Sequence, residues 1–475
     1  MADPREIFVD LDGTLLRTDL FFEAIVRYVR LRPWRIFYLP FVLMRGPAVA
    51  KAVLARAVRG DPARLPYEQG LIAHLAECKA EGCRIVLATA AHSAEATRIA
   101  RHLGIFDGIL ATRRGVNLKG SRKLAEIQLM SEGRPFIYAG DSAADRPIWR
   151  AAESAIFVNA PSCDVVEAEQ KKHVALSLET RPPLWIAFLR QMRLHQWAKN
   201  LLLFVPLLTS HRYGAVATDA STVAAFLAFG LCASGNYFIN DLSDLDADRA
   251  HASKRRRPLA SGDLPLAWGV FGAVALPALA FALSAVCLSW KFTAVLGCYF
   301  ALSNVYSFFI KRISTADVFA LALLYTVRVV AGAVAVAVVI SSWLLAFSMF
   351  MFISLAYLKR YIEVHQLVQD NAKAKGRGYS GADADTMFSL GIANATAATV
   401  VLALYVSSEE VRALYRSPSI LWSLCLLLLY WSNRIWVGAR RGKINEDPVI
   451  FAVRDRVSRA VGVLALLCVL AARFV

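Results

Sequence analysis

Asn240, Asp241, Asp244 and Asp248 stand in the form N-D-x-x-D-x-x-x-D within the stretch NYFINDLSDLDADRAHASKRRRP. At 3.6 residues per turn these four side chains fall within about 100° of one helix face, and Asp246 points away. Three carboxylates on one face repel each other unless a cation lies between them. Hard oxygen donors without His or Cys favour Mg2+, which keeps waters and bridges to phosphates. Lys254, Arg255, Arg256 and Arg257 follow, donors suited to phosphate oxygens. The stretch reads as a metal–diphosphate site. The bland alternative is a solvated acidic helix end followed by topological charge. The matched spacing beside an apolar run favours chemistry.

A second set of polar motifs is spread over the first 160 residues. Asp10-Leu11-Asp12-Gly13-Thr14 follows the apolar run Ile7, Phe8, Val9; Thr89 ends a strand-like run from 84; Gly140-Asp141-Ser142-Ala143-Ala144-Asp145 ends another from 136. Helix-like segments at 93–103 and 121–130 lie between them. Strands alternating with helices predict a parallel sheet, with the motifs gathered at the carboxyl ends of its strands.

These motifs resemble those of the haloacid dehalogenase (HAD) phosphohydrolases, over about residues 5–160. The resemblance implies an α/β Rossmann-like domain in which Asp10 is the nucleophile that forms an aspartyl-phosphate and Asp12 the general acid/base. It implies that Thr89 and a lysine hold the phosphate, and that Asp10, Asp12, Asp141 and Asp145 hold one Mg2+. Lys119 and Lys123 both precede the helix; Lys123, which begins it, is preferred. A carboxylate nucleophile needs metal and Lys to neutralise its charge before it meets a phosphate dianion. Residues 15–80 occupy the place of a helical cap. Within them LRPWRIFYLPFVLMRG, residues 31–46, is too short and too proline-broken to span a membrane. Its Trp34, Phe37, Tyr38 and Phe41 beside Arg32, Arg35 and Arg45 suit either a membrane surface or an ordinary cap core.

The remainder is apolar. The chain of 475 residues is 57% hydrophobic, with a mean hydropathy of +0.45, which calls for several membrane spans. Nine apolar stretches have membrane length, at about 199–217, 221–240, 266–289, 292–310, 317–339, 342–358, 386–406, 418–436 and 457–474. With the N-terminal domain inside the cell, the inner loops hold nineteen Lys and Arg and the outer loops and tail five. That bias accounts for the net charge of +17 better than nucleic acid does. It predicts a cell-membrane protein with a cytoplasmic N-terminal domain. The eight cysteines form no CxxC or metal spacing and read as small hydrophobes in a reducing compartment. The polar start leading into IFVDLDGT does not read as a signal peptide. The expected organisation is residues 1–160 for the phosphohydrolase-like domain, 161–195 for a linker and interfacial helix, and 196–475 for the membrane domain.

A second polar cluster follows the fourth stretch: Tyr306, Lys311, Arg312 and Asp317, with Arg328 inside the fifth. A charge within a span is expensive and usually functional. Lys359, Arg360 and Glu363 end the sixth stretch, and Tyr379 lies in the loop after it; Asp447 and Arg454 to Arg456 read as structural or topological.

Nine spans, NDxxDxxxD after the second and a polar cluster after the fourth resemble the UbiA superfamily of intramembrane prenyltransferases, over about residues 190–475. The residues 196–200, QWAKN, the run 248–258 and Arg328 with Ala331-Gly332 look most like the polyprenyl-phosphate (decaprenyl-phosphate) phosphoribosyltransferases of that superfamily. Many members carry a second DxxxD in the second cluster; here Leu321 stands four residues after Asp317, so only half of it is present. The resemblance implies catalytic Asp241, Asp244 and Asp248 holding at least one Mg2+. Lys199, Asn240, Lys254, Arg257, Lys311, Asp317, Arg328 and Tyr379 are then substrate-binding candidates. Phosphoribosyl diphosphate and a polyprenyl phosphate from the bilayer are the expected substrates, the phosphatase removing the 5-phosphate of the product. A prenyl transfer from prenyl diphosphate to an aromatic or lipophilic acceptor is the alternative. A third reading is a non-catalytic anchor for the phosphatase, which an Asp face in an apolar domain disfavours.

Overall fold

The computed structural model describes residues 5–112, 118–171, 173–369, 379–444 and 447–474. It divides into two compact units, residues 1–192 with 237–273, and residues 193–236 with 274–475.

The first unit is built on a six-stranded parallel sheet in the order β3-β2-β1-β4-β5-β6. The strands are β1 (Glu6–Val9), β2 (Arg84–His92), β3 (Gly108–Thr112), β4 (Phe136–Gly140), β5 (Ser154–Val158) and β6 (Val174–Leu178). Alternation along β1 feeds both faces. Ile7 and Val9 pack with Leu87, Ala139 and Ile156, and Phe8 packs with Val86, Tyr138 and Phe157. β1 lies between β2 and β4, so the chain order reverses around it. Such a switch point opens a crevice at the carboxyl ends of the strands. The register Val9↔Ala139 sets Asp10 beside the Gly140-Asp141 corner, and the Asp10 amide donates to the Ala139 carbonyl at 3.0 Å.

The cap region is helical. α1 (Leu20–Leu31) starts at Asp19, whose carboxylate accepts from the Phe21 and Phe22 amides. α2 (Leu39–Met44) and α3 (Pro47–Ala57) follow a short 3-10 turn at Pro33–Phe37. α4 (Ser121–Met130) packs under the sheet, burying Lys123 and Ile127.

Residues 237–273 belong to this same unit. Glu23 of α1, fully buried, accepts two bonds from the Arg249 guanidinium at 2.5 and 3.1 Å and one from Thr18 at 2.9 Å. Arg27 and Arg30, one and two turns on, reach Asp246 at 2.9 and 3.2 Å. Arg17 pairs with Asp263 at 2.7 Å. Asp246 thus points away from the other carboxylates toward α1, where Arg27 and Arg30 outweigh the cost of its burial and hold its carboxyl below the usual range.

Among the described residues, eight helices are long and apolar enough to cross a membrane. They are α5 (Val216–Ser243), Leu266–Cys287, Trp290–Arg312, α7 (Ala316–Ala335), Ser342–His365 within α8 (Ser342–Gln369), Gly381–Val406, Pro418–Arg440 and Arg456–Phe474. α6 (Leu245–Arg249) is a short helix after α5. The first expected span, 199–217, is not one long helix but a 3-10 stretch Leu194–Phe204 followed by a short helix Val205–Thr209. Its polar side chains are spent inside the second unit. Trp197 donates to Ser234 at 3.0 Å, Asn200 accepts from Arg328 at 3.0 Å, and Lys199 pairs with Asp447 at 2.7 Å. Gly332 of α7 lets this stretch in, because a Cβ there would lie 2.2 Å from the Leu203 carbonyl oxygen. The other eight still alternate, and because residues 1–192 share a compact unit with residues 237–273, the N-terminal domain lies on the side of the basic loop 254–257, which requires residues 193–215 to cross as an interrupted segment. Three of the inner-loop charges, Lys373, Lys375 and Arg377, lie outside the described residues.

The Glu23–Arg249 pair is buried, and breaking such a pair leaves a charge without compensation at a cost of about 3–5 kcal/mol. Glu23→Ala is expected to lower the melting temperature of the detergent-solubilised protein by several degrees. Glu167→Ala, which removes the exposed pair with Lys171, is expected to leave it unchanged.

Candidate active sites

In the first unit, the carboxylates of Asp10, Asp141 and Asp145 offer one oxygen each within 4.8 Å of one another. Lys123, projected from the first turn of α4, places its ammonium 2.9 Å from Asp10 and 3.5 Å from Asp145. Lys119 is exposed, so Lys123 is the lysine of the site. Tyr138 bridges the remaining pair: its hydroxyl receives from Lys123 at 2.9 Å and donates to Asp145 at 2.8 Å. Thr14 donates to Asp141 at 3.1 Å. Two glycines are required by space. A Cβ on Gly13, at φ +83°, would lie 2.1 Å from an Asp141 oxygen, and one on Gly140 would press on Tyr138 and Asp145 at 2.9 and 3.0 Å.

Asp12 stands apart from the three. Its carboxylate accepts from the Leu20 amide at 2.9 Å and opens on a cleft lined by Leu20, Phe21, Lys51, Leu54, His92 and Glu95. The side chain of Asp12 is therefore not one of the three gathered carboxylates expected to hold the metal with it. Burial raises its pKa well above the carboxylate range, with the Asp19 charge adding to this. A raised pKa suits an acid that must hold a proton. Burial pushes Asp141 up to about 7, with the charges of Asp10 and Asp145 adding to it, and burial raises Asp10 against the pull of Lys123. Crowded, desolvated carboxylates of this kind fit a hard divalent cation, and Mg2+ matches the all-oxygen set. Thr89 is fully buried within β2, three residues before its end and at a register shift against β3, its hydroxyl accepting from the Ala91 amide at 2.9 Å.

The second carboxylate set is also placed in the first unit. α5 ends at Ser243, and Asp244 takes φ −96° and ψ 8° before α6 begins. The four side chains are thus split over two helices rather than carried on one. Asp241 and Asp248, both buried, still meet, because one nitrogen of Arg257 donates to both at 2.9 and 2.5 Å. The other Asp241 oxygen accepts from Gln191 at 2.7 Å. Among the described residues these aspartates do not form a ready-made cluster like that of Asp10. Burial raises Asp248 despite Arg257. The donors fit Mg2+ in type, with a guanidinium placed between two of them.

Within the second unit, Asp317 is fully buried and receives the Arg360 guanidinium and the Tyr379 hydroxyl, the latter at 2.5 Å. Arg360 continues to Tyr306 and Glu363, each at 2.6 Å. Arg328 is buried and donates to Asn200, to the Tyr299 hydroxyl at 2.9 Å and to the Leu324 carbonyl. Asp447 lies between Lys199 and Lys359, at 2.7 and 3.1 Å; against the cost of burial they hold its carboxyl far below the usual range. Asp447 and Arg360 are therefore parts of a polar interior. Sequence spacing could not assign them, because their partners lie 88 and 43 residues away.

Comparison with known proteins follows the same division. The family model of the UbiA prenyltransferase family matches residues 203–454, more than half of the chain, and that of haloacid dehalogenase-like hydrolases matches residues 7–150. The chain belongs to the UbiA prenyltransferase family. An uncharacterized protein, y4nM, of Sinorhizobium fredii is 36% identical over 96% of this chain and 89% of its own length. Nodulation protein NoeC of Azorhizobium caulinodans is 36% identical over 57% of this chain and 88% of its own length. A decaprenyl-phosphate phosphoribosyltransferase of Mycolicibacterium smegmatis is 33% identical over 39% of this chain and 60% of its own length. The chain is thus an integral membrane enzyme that joins a UbiA-family transferase to a HAD-type phosphatase.

Tyr138 is the residue of this cluster that the strand pattern hid, since FIYAG reads as plain buried strand. Arg181, whose guanidinium donates to the Gly13 carbonyl at 3.1 Å and whose charge pulls the Asp141 pKa down, also comes from far along the chain. The raised Asp141 gives a pH prediction. A carboxyl whose pKa is raised above 3.8 to about 7 destabilises the metal-free fold as pH rises through that window, and metal binding must displace its proton. The Mg2+-induced rise in melting temperature is expected to be larger at pH 8 than at pH 6, and Asp141→Asn is expected to flatten that difference.

Proposed function

We propose that the transferase half moves phosphoribose from phosphoribosyl diphosphate to a polyprenyl phosphate, decaprenyl phosphate being the expected size class, and that the phosphatase half removes the 5-phosphate of the lipid-linked product. The observation that carries this reading is a complete phosphatase site, with Asp10 2.9 Å from Lys123, on the same chain as a UbiA-family domain whose relatives include phosphoribosyltransferases. A prenylated aromatic has no phosphate for such a site to remove; a phosphoribosylated lipid has one.

In the transfer, an oxygen of the lipid phosphate attacks C1 of the ribose, the C1–O bond to the diphosphate breaks, and diphosphate leaves. Asp241, Asp244 and Asp248 are assigned to the metal-bound diphosphate, where Mg2+ would supply charge neutralisation of the leaving group. Arg257 is assigned to hold Asp241 and Asp248 together before the substrate arrives and to turn to the diphosphate afterwards. Lys199, Asn240, Lys254, Lys311 and Arg328 are assigned to the phosphates and the sugar on charge and hydrogen-bonding type. Asp317 is assigned to order Tyr379 rather than to hold a second metal. Arg360 and Tyr379 engage both of its oxygens, and Leu321 stands where a second carboxylate would be. That supports a donor other than a prenyl diphosphate.

In the phosphatase step, an Asp10 oxygen attacks phosphorus while Lys123 offsets the phosphate charge. Asp12 protonates the departing sugar oxygen and then takes a proton from the water that releases the phosphate. Mg2+ held by Asp10, Asp141 and Asp145 would lower the repulsion between nucleophile and phosphate. The phosphatase is taken as residues 1–160 and the transferase as 196–475. The loop-charge bias supports a cell-membrane protein with the phosphatase in the cytoplasm.

The test uses full-length protein in lipid nanodiscs with Mg2+, polyprenyl phosphate and phosphoribosyl diphosphate, the lipid products being weighed by mass spectrometry. Wild type is expected to yield a lipid-linked ribose without a 5-phosphate. Asp10→Asn should accumulate the form heavier by one phosphate, with hydrolysis of soluble phosphomonoesters down about a thousandfold or more. Asp241→Asn should abolish transfer and spare the phosphatase. Consumption of a prenyl diphosphate with an aromatic acceptor, and neglect of phosphoribosyl diphosphate, would replace this reading with prenyl transfer.

A further inference from the structure

The cap turns a large apolar surface outward. Between α1 and α3, Leu31, Trp34, Phe37, Tyr38, Phe41 and Met44 are all exposed, Phe37 at 74%, Phe41 at 67% and Met44 at 83%. They are not the core of the cap, which is made instead by Leu20, Ala24, Ala50 and Leu54, all buried. Contiguous exposed aromatic side chains in one short segment mark an interaction surface.

Two independent observations say what covers it. The first is charge. From residue 24 to residue 60 there is no Asp or Glu, and eight Lys and Arg: Arg27, Arg30, Arg32, Arg35, Arg45, Lys51, Arg56 and Arg59. Arg32 lies 5.8 Å from the Trp34 ring centre and Arg35 lies 4.5 Å from that of Tyr28, so the cations flank the aromatic face. The second is position. Arg27 and Arg30 of α1 are tied to Asp246, three residues beyond the end of α5, an apolar helix of membrane-spanning length. The apolar segment begins at Leu31, one residue after Arg30. The polar end of a span and the exposed face are therefore neighbours in the same compact unit.

We infer that residues 31–45 form an interfacial anchor that lays Trp34, Phe37, Phe41 and Met44 into the headgroup–acyl boundary of an anionic bilayer, with Arg32, Arg35 and Arg45 among the lipid phosphates. Aromatic and aliphatic groups on one side and arginines around them are what such a surface needs. The segment is too short to span and contains Pro33 and Pro40, so it lies on the membrane rather than through it. The anchor holds the phosphatase cap at headgroup level. Its use there, reaching a phosphate carried on a lipid, rests on the function proposed above; the anchoring itself does not.

The experiment reads Trp34 directly. Full-length protein is placed in nanodiscs whose phosphatidylglycerol carries bromine on its acyl chains, and the Trp34 emission is taken as wild type minus Trp34→Phe. The expected result is quenching of that emission by about half or more, and clearly less with brominated phosphatidylcholine as the only lipid. The triple variant F37S/F41S/M44S should lose most of the quenching while hydrolysing a soluble phosphomonoester at the wild-type rate, which shows that the cap is folded. Trp34 emission insensitive to bromine in both lipids overturns the inference. So does emission that changes only with the number of protein copies per disc, which would make a second copy of the chain the occupant. Neither readout involves the transferase or its substrates, so failure here and failure of the proposed function are separate results.

Discussion

A carboxylate removed from water must meet a cation, and most of the polar architecture of this protein follows from that constraint. Asp10 and Asp145 meet Lys123; Asp241 and Asp248 meet Arg257; Asp317 meets Arg360; Asp447 meets Lys199 and Lys359. Each cation comes from a different element than its acid, so each pair also fixes two segments of chain to each other. In the candidate phosphatase site this matching is incomplete: three carboxylates crowd together, and Lys123 meets Asp10 and Asp145. The burden appears as an Asp141 pKa near 7 and a raised Asp10, and it is the kind of strain that a bound divalent cation relieves.

The same constraint joins two parts of the sequence that are more than two hundred residues apart. Glu23 is buried under Arg249, and Asp246 is held by Arg27 and Arg30. Glu23 lies in the first turn of α1, only nine residues past Thr14, and Arg249 follows the last aspartate of the NDxxDxxxD motif. The loop that carries Asp244 and Asp248 is thus built into the phosphatase unit rather than left as a free connection between membrane helices. Gly262 shows how close the packing is, since a Cβ there would lie 2.5 Å from the Arg17 carbonyl oxygen.

The phosphatase was legible in the sequence because its motifs sit at strand ends, where a short apolar run and a Gly-containing corner are local signals. The choice of Lys123 over Lys119 was legible for the same reason, as the first turn of α4 faces the sheet. Tyr138 was not, because a tyrosine in a buried strand looks like packing until its hydroxyl is seen between Lys123 and Asp145. β6 was hidden in an expected linker; it is a short edge strand with alternate residues exposed and little apolar signal. Composition showed the apolar stretch at 199–217 but not the break within it. Pro206 and the spent side chains of Trp197, Lys199 and Asn200 make it a packed, interrupted segment. The aspartate motif was legible as chemistry but not as geometry, because the break at Asp244 and the reach of Arg257 across it are tertiary facts.

In the proposed function the membrane half makes what the soluble half consumes. The most direct measurement is inorganic phosphate release, followed in real time from protein in nanodiscs given Mg2+ and phosphoribosyl diphosphate, with and without polyprenyl phosphate. Phosphate is expected only when the lipid acceptor is present, after a lag, and in a one-to-one ratio with the lipid-linked ribose. Phosphate released at the same rate without the lipid would contradict it, since the phosphatase would then be acting on the soluble donor and the two activities would not be in sequence.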